Sequence, residues 1–137
     1  MRELFKIGAV FLISSIFLTG CLPNIGSSGG PADADEFVKG QIVRGFPPLP
    51  AYENAKVIES YGKDNNFGAT IVTNDDLAKV VNFYQDGLEL LGWEVSVSGA
   101  GTNFVFDIKN EKNIGSIIIN TAADNRRTVI TIAVSSR

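Results

Sequence analysis

The hydrophobic pattern of this chain changes its period once and then changes back, and this constrains the fold more than any other feature. Over residues 77–91 apolar side chains recur at intervals of three and four, which predicts an amphipathic α-helix of about four turns. Before and after it, apolar and polar residues alternate, as in 93–98 and 104–109, which predicts half-buried strands. The helix can bury its apolar stripe only against the apolar face of those strands.

Two strands are predicted before the helix and four after it. The first pair, residues 56–62 and 67–73, is separated by residues typical of a hairpin turn. The later strands are joined by short connections, which favours an antiparallel meander. The sequence therefore predicts a two-layer α+β domain, with one amphipathic helix packed on a mainly antiparallel sheet of about six strands in the order β-β-α-β-β-β-β.

Both ends of the helix carry recognisable signals. Thr73, followed three residues later by Asp76, resembles a capping box, and acidic residues suit the positive start of a helix. Gly92 is expected in the left-handed conformation, with Trp93 folded back on the last turn in a Schellman motif. Asp75 and Asp76 could also be taken for a general acid/base pair. Adjacent helical residues do not face each other, so we interpret both as capping residues.

The first 20 residues have the anatomy of a secretory signal peptide. The basic residues Arg2 and Lys6 precede an apolar run at 7–18. This run of about 12 residues is too short for a bilayer, which needs roughly 20. Small residues follow it, as they do before signal cleavage sites. We predict that residues 1–20 are removed.

Leu18, Thr19, Gly20 and Cys21 resemble the bacterial lipoprotein box. The resemblance implies that the signal peptidase recognises Leu18, Thr19 and Gly20, and that Cys21 receives a diacylglycerol thioether and then an amide-linked acyl chain. Two or three chains hold a protein stably at a membrane, because each buried CH2 contributes about 0.8 kcal/mol. Leu22, where inner-membrane lipoproteins have Asp, implies the outer membrane if the host has one. The predicted location is the cell envelope, on the extracytoplasmic side.

Three regions follow from these observations. Residues 1–20 are the predicted signal peptide, 21–46 the lipidated cysteine with a flexible tether, and 47–137 the α+β domain. The tether prediction depends on residues 22–34, whose Gly, Ser, Pro and Ala content is typical of flexible linkers. Residues 36–46 fit either a short helix or a strand laid over the domain, because two glycines interrupt their near-helical apolar spacing.

Composition excludes several kinds of chemistry. The chain has no His and one Cys, which excludes His-dependent nucleophile pairs, the usual zinc ligand sets and an intramolecular disulfide. Removal of residues 1–20 takes away Arg2, Lys6 and Glu3, so the net charge of −3 becomes −4. A nucleic-acid footprint would need a basic patch instead. We expect no enzymatic activity, no cofactor, no bound metal and no nucleic-acid partner.

A wider resemblance rests on two segments. "FYQDGLELLGW" at 83–93 fits the pattern Phe-Tyr-x-x-x-Leu-x-x-x-Gly-Trp, and "LPAYENAKV" at 49–57 is similar to Pro-x-Tyr-Pro-Gly-Ala-Lys-Val. Together they resemble a broad class of small bacterial envelope lipoproteins, in which one helix packs on a sheet. The predicted architecture also resembles that of helix-on-sheet lipoprotein accessory subunits of the outer-membrane barrel assembly machine, an analogy of fold alone. The matching positions are mostly turn and core residues, so the resemblance implies a fold rather than an activity.

Two functions follow as hypotheses. The first is a non-enzymatic interaction module that is held at the membrane through lipidated Cys21 and binds an envelope protein. Its surface would be the sheet face away from the helix, or a sheet edge that pairs with a partner or with a second copy. The residues expected on that face are Val105, Ile118, Val129 and Ala133, interrupted by Asp107, Ser116 and Thr131.

The second hypothesis is a carrier or sensor of a small apolar ligand held between helix and sheet. Such a pocket would be lined by aromatic side chains. The same side chains also fit an ordinary close-packed core, which we favour on packing grounds. They are Phe83, Tyr84, Trp93, Phe104 and Phe106.

Overall fold

The structure is a computed structural model, and it describes residues 36–137. Within this range no helix is long and apolar enough to cross a membrane. The elements follow one another in the order β-β-β-α-β-β-β-β. They are β1 (Glu36–Lys39), β2 (Ala55–Lys63), β3 (Asn66–Thr73), α1 (Leu77–Leu90), β4 (Glu94–Ala100), β5 (Asn103–Lys109), β6 (Asn113–Thr121) and β7 (Thr128–Ser136).

All seven strands form one antiparallel sheet in the order β1-β2-β3-β7-β6-β5-β4. α1 carries the chain from β3 to the far edge at β4, and the following strands return one by one until β7 pairs with β3. The predicted α+β fold with one helix on an antiparallel sheet is confirmed. The sheet has seven strands rather than about six, because β1 lies in the segment 36–46, whose conformation the sequence left open.

One face of the sheet is buried under α1. Phe106 pairs with Ile117, which in turn pairs with Ile132, and all three are at most 4% exposed. From the helix, Val80 and Tyr84 are fully buried, as the three- and four-residue spacing predicted. The remaining buried residues of this core are Ala69, Val81, Leu88, Trp93, Ile108, Ile119, Ile130 and Val134.

Residues 41–54, which we call the strap, lie on the same face of the sheet beside α1. The Val43 N–H donates to the Ser60 hydroxyl (2.8 Å), which in turn donates to a carbonyl of the strap (2.8 Å). Buried Ser60 is thereby satisfied on both sides. The rings of Phe46 and Phe67 meet edge-on at 5.7 Å. The strap is therefore part of the domain's packing.

The strap also holds the helix. Trp93 Nε1 donates to the Pro48 carbonyl at 3.1 Å, and the rings of Tyr52 and Phe83 meet at 5.0 Å. A Cβ built on Gly87 would lie 3.0 Å from Pro50 Cγ. This close approach accounts for a glycine inside a helix, where it costs about 1 kcal/mol relative to alanine.

The capping box predicted at the helix start is wrong. Asp76 is the N-cap residue, and its side chain makes no capping hydrogen bond. Thr73 ends β3, and its hydroxyl donates to the Asn54 carbonyl (2.7 Å) and accepts from the Asp75 N–H (3.2 Å). The hydroxyl is therefore committed to the strap, three residues before the cap position.

The helix end is as predicted. Gly92 has φ of 82°, a left-handed conformation that glycine adopts without strain. The Gly92 N–H donates to the Glu89 carbonyl (3.0 Å), and the Trp93 N–H donates to the Leu88 carbonyl (3.1 Å). These two bonds are the pair that defines a Schellman motif, and they turn Trp93 into the core.

Candidate interaction surface

The residues predicted to carry the lipid anchor, namely Leu18, Thr19, Gly20 and Cys21, lie outside the described part of the chain. The described part begins at Glu36 in β1, which forms one edge of the sheet. Lipidation of Cys21 therefore remains a prediction. The structure describes instead the surfaces of the domain that such an anchor would hold near a membrane.

The sheet face away from α1 and the strap is the first of these surfaces, and we call it the open face. No element within residues 36–137 packs across it. The strand register places on this face all four apolar residues that the sequence assigned to it, together with the three polar residues between them. They are Val105, Ile118, Val129 and Ala133, with Asp107, Ser116 and Thr131.

Large apolar side chains are exposed on the open face. Phe37 and Tyr61 are paired across β1 and β2 and are 56% and 46% exposed. Ile58, Ile114 and Ile118 are between 37% and 47% exposed. Scattered apolar residues are normal on a protein surface, and the concentration of several on one face makes that face the candidate interaction site.

The surface of the open face is uneven as well as partly apolar. The Tyr61 ring lies so closely over Gly68 that no Cβ would fit there. Beyond it, between Tyr61 and Ile114, is an open depression of about 190 Å3 that is floored by Ser116 and Ala133. Ser116 and Ala133 thus form a low part of the face between the larger side chains of Tyr61 and Ile114.

Charges of both signs are interspersed on this face. Lys109 and Glu94 form an ion pair of 2.9 Å, and Lys39 lies directly across from Glu59. Exposed pairs of this kind contribute about 0–1 kcal/mol. The face therefore offers mixed polar and apolar contacts rather than a field of one sign.

Sequence reasoning missed Phe37, Ile58, Tyr61 and Ile114. β2 has a register shift between Val57 and Glu59, so simple alternation from Val57 would bury Tyr61. A bulge of this kind inserts one residue and reverses the faces beyond it. For Ile114 the signal was present. It lies two residues before Ser116 and four before Ile118 in β6, and a strand places such residues on the same face.

A cluster of polar side chains lies where the strap, α1 and β7 meet. Asp75 Oδ2 accepts from the Tyr52 hydroxyl (2.5 Å), Asn54 Nδ2 (3.2 Å) and Lys79 Nζ (2.9 Å). The Asp75 carbonyl accepts from the Thr128 hydroxyl at 2.8 Å. These bonds tie the end of the strap to the start of the helix and to the sheet.

The bonds to Asp75 also set its ionisation. The Tyr52 hydroxyl first, then Lys79 and Asn54, stabilise the carboxylate and lower the pKa of Asp75 to about 2. Burial first, and then the neighbouring carboxylate, raise the pKa of Tyr52. A carboxylate with so low a pKa has little driving force to accept a proton near neutral pH. The arrangement is suited to holding the strap in place.

The five aromatic residues proposed to line a ligand pocket do not form a single open space. Tyr84, Trp93 and Phe106 are at most 3% exposed and belong to the core, while Phe83 and Phe104 pack against it half-buried. The Tyr84 hydroxyl, however, has no hydrogen-bond partner among the described residues. Burial raises the pKa of Tyr84. A buried hydroxyl without a partner costs about 1–3 kcal/mol.

Residues 36–137 contain no group of three or more His, Cys, Asp or Glu side chains that could hold a metal ion. Comparison with known proteins adds no relative: no protein-family model, curated protein or solved structure matches the chain.

We expect Tyr52→Phe to raise the pKa of Asp75 towards its ordinary value of 3.8, because the variant removes the hydrogen bond that lowers this pKa most. A folded-state pKa below the unfolded value stabilises the fold above about pH 4 and loses that contribution as the pH falls towards 2. Between pH 5 and pH 2, the unfolding free energy of the variant should therefore fall less than that of the wild-type protein. NMR titration of the side-chain carboxyl carbons measures the pKa directly.

Asp124 provides the internal control. Its pKa is lowered by the backbone N–H of Arg126 and by the Arg127 side chain, neither of which contacts Tyr52. The Asp124 titration should be the same in both proteins. An Asp75 pKa that is unchanged in the variant would contradict the assigned cause.

Proposed function

We propose that this chain is a lipid-anchored lipoprotein of the bacterial cell envelope, and that it acts as a non-enzymatic interaction module whose open face binds another envelope protein. The observation that carries the proposal is the open face, which exposes apolar side chains on an otherwise well-packed domain. The segment Leu18-Thr19-Gly20-Cys21 supports the proposed lipid anchor and the location in the cell envelope.

The length and composition of the first 34 residues support a lipid anchor. The apolar run at 7–18 is about the length of a signal-peptide core and ends next to the only thiol of the chain. Residues 22–34, treated as a flexible linker, have a reach of roughly 20 Å. An acylated Cys21 would thus keep the domain within one domain diameter of a membrane surface. With Leu22 in place of Asp, the outer membrane is favoured in a host that has one.

The open face supports protein binding on energetic grounds. Full burial of a Phe or Ile side chain contributes about 1.5–3 kcal/mol, and the five exposed apolar side chains are each roughly half exposed. Covering them would contribute on the order of 5 kcal/mol before the costs of association. Interspersed Lys and Glu side chains suit a protein partner with mixed contacts better than a nucleic acid, which needs a basic stripe.

The address is tested by the mass of the protein made in its own host. We expect a chain that begins at Cys21 and carries a diacylglycerol group with one further acyl chain or none. Cys21→Ser should abolish both the added mass and membrane association, because the sulfur atom is the acyl acceptor. A wild-type protein with a free thiol and an uncleaved leader would contradict the anchor.

Binding through the open face is tested by photo-crosslinking in native membranes. A benzophenone amino acid at Ile118, in the middle of the open face, should capture a discrete envelope protein. The matched control is Leu90, which is 85% exposed on α1 and therefore belongs to the other layer. Capture at Leu90 equal to that at Ile118, or no adduct at either position, would overturn the assignment of the open face.

A second function, the carriage of a small apolar ligand between helix and sheet, is favoured by one observation. The Tyr84 hydroxyl lies fully buried in the layer between α1 and the sheet, without a partner among the described residues. A ligand with a hydrogen-bond acceptor at one end would satisfy this donor, while Trp93 and Phe106 would contact its apolar part after local rearrangement.

Tyr84→Phe separates this alternative from a plain core. If no ligand binds, we expect the variant to gain about 1 kcal/mol of unfolding free energy in urea denaturation, because it removes an unsatisfied polar group. If a ligand is carried, native mass spectrometry of the wild-type protein should show an added mass that the variant loses. Bare masses for both proteins would exclude ligand carriage through this hydroxyl.

A further inference from the structure

The two edges of the sheet differ in how well they are protected. β1 has four residues, and two of them, Glu36 and Lys39, are charged. β4, at the other edge, has seven residues, and six of them are exposed. Its only charged residue is Glu94, which is paired with Lys109 at 2.9 Å.

An edge strand presents unpaired N–H and C=O groups that another strand can bind. Natural proteins protect long edges with lysine, proline, bulges or a covering element. β1 fits this rule because it is short and charged. β4 has no lysine and no proline, its pairing with β5 continues without a register shift, and its residues 95–100 are uncharged.

We propose that β4 is a self-association edge, at which a second copy of this chain adds its own β4 in antiparallel orientation. The two-fold axis is perpendicular to the sheet and passes midway between the two copies of Val97. Val97 of one copy then faces Val97 of the other, Ser96 faces Ser98, and Val95 faces Gly99. Glu94 faces Ala100, so all seven residues are paired and no like charges are opposed.

The second copy is favoured over an unrelated strand by the match of side chains on both faces. Val95 and Val97 lie on the helix side of β4, while Ser96 and Ser98 lie on the open side. A two-fold axis perpendicular to the sheet keeps each set on its own side, so Val97 meets Val97 and the Ser96 and Ser98 hydroxyls lie side by side. Val97 is 41% exposed, and the Val97–Val97 contact would bury it.

The geometry also predicts how strong this association is. Pairing joins two seven-stranded sheets into one continuous sheet with both helices on the same side. Seven residues per copy bury less than the roughly 1,200 Å2 of a stable interface, so the dimer is weak and depends on concentration. The β4 edge is a different surface from the open face, and pairing at this edge does not need the lipid anchor.

A cysteine at the two-fold axis tests the register. In the full chain carrying Cys21→Ser, Val97→Cys introduces the only thiol. Opposed residues in an antiparallel pair have Cα atoms about 4.5–5.5 Å apart, within the range a disulfide accepts. Oxidation with copper phenanthroline should convert Val97→Cys to a disulfide dimer. Leu90→Cys, on a side chain that is 85% exposed, should react at least tenfold more slowly. Equal rates, or a monomeric Val97→Cys protein, would overturn the proposal.

Introducing a charge of either sign at position 97 provides a second, independent test. Like charges placed directly opposite each other destabilise a strand pair, so Val97→Lys and Val97→Asp should each raise the dissociation constant about tenfold or more. A mixture of the two should form a heterodimer, which native mass spectrometry distinguishes by mass. Circular dichroism checks that both variants fold. Homodimers of Val97→Lys as strong as wild type, or a mixture without heterodimer, would contradict pairing at Val97.

Discussion

One helix cannot cover this sheet, and the rest of the molecule follows from that mismatch. Seven strands about 4.8 Å apart span about 29 Å, whereas an α-helix with its side chains is about 10 Å wide. The strap is needed beside α1, and the Trp93–Pro48 hydrogen bond together with the Gly87–Pro50 contact joins the two. Because both lie on one side, no described element remains for the other side, where Phe37 stays in water.

The strap is held by polar bonds near its ends and by apolar contacts between them. Near its start, Val43 and Ser60 share a buried hydrogen bond, and near its end Tyr52 binds the ionised Asp75. Polar groups at both limits give the segment one defined position, which apolar contacts alone specify less well. β1 and the strap are therefore part of the packed domain, so a flexible tether does not extend through residues 36–54.

Much of the fold could be predicted from local pattern, and the failures have physical causes. Gly92 and the helix period are local signals, so the Schellman motif and the buried helix face were predictable. Thr73 failed as a cap because its hydroxyl binds a strap residue 19 positions away, which no local pattern reveals. The bulge in β2 likewise concealed the exposure of Tyr61. For the candidate surface, the β5–β7 side was predictable, whereas β1 and β2 were not. The predicted anchor at Cys21 lies outside the described residues.

The position of β7 in the sheet affects the order in which the molecule folds. β7 is the last strand in chain order, yet it lies between β3 and β6, so the two halves of the sheet share no pairing until it arrives. Ile130 and Ile132 complete the buried face at that moment. Long-range pairing of this kind slows folding. In a chain threaded amino end first through a narrow channel, such late closure would leave the sheet in two separate halves until β7 has passed.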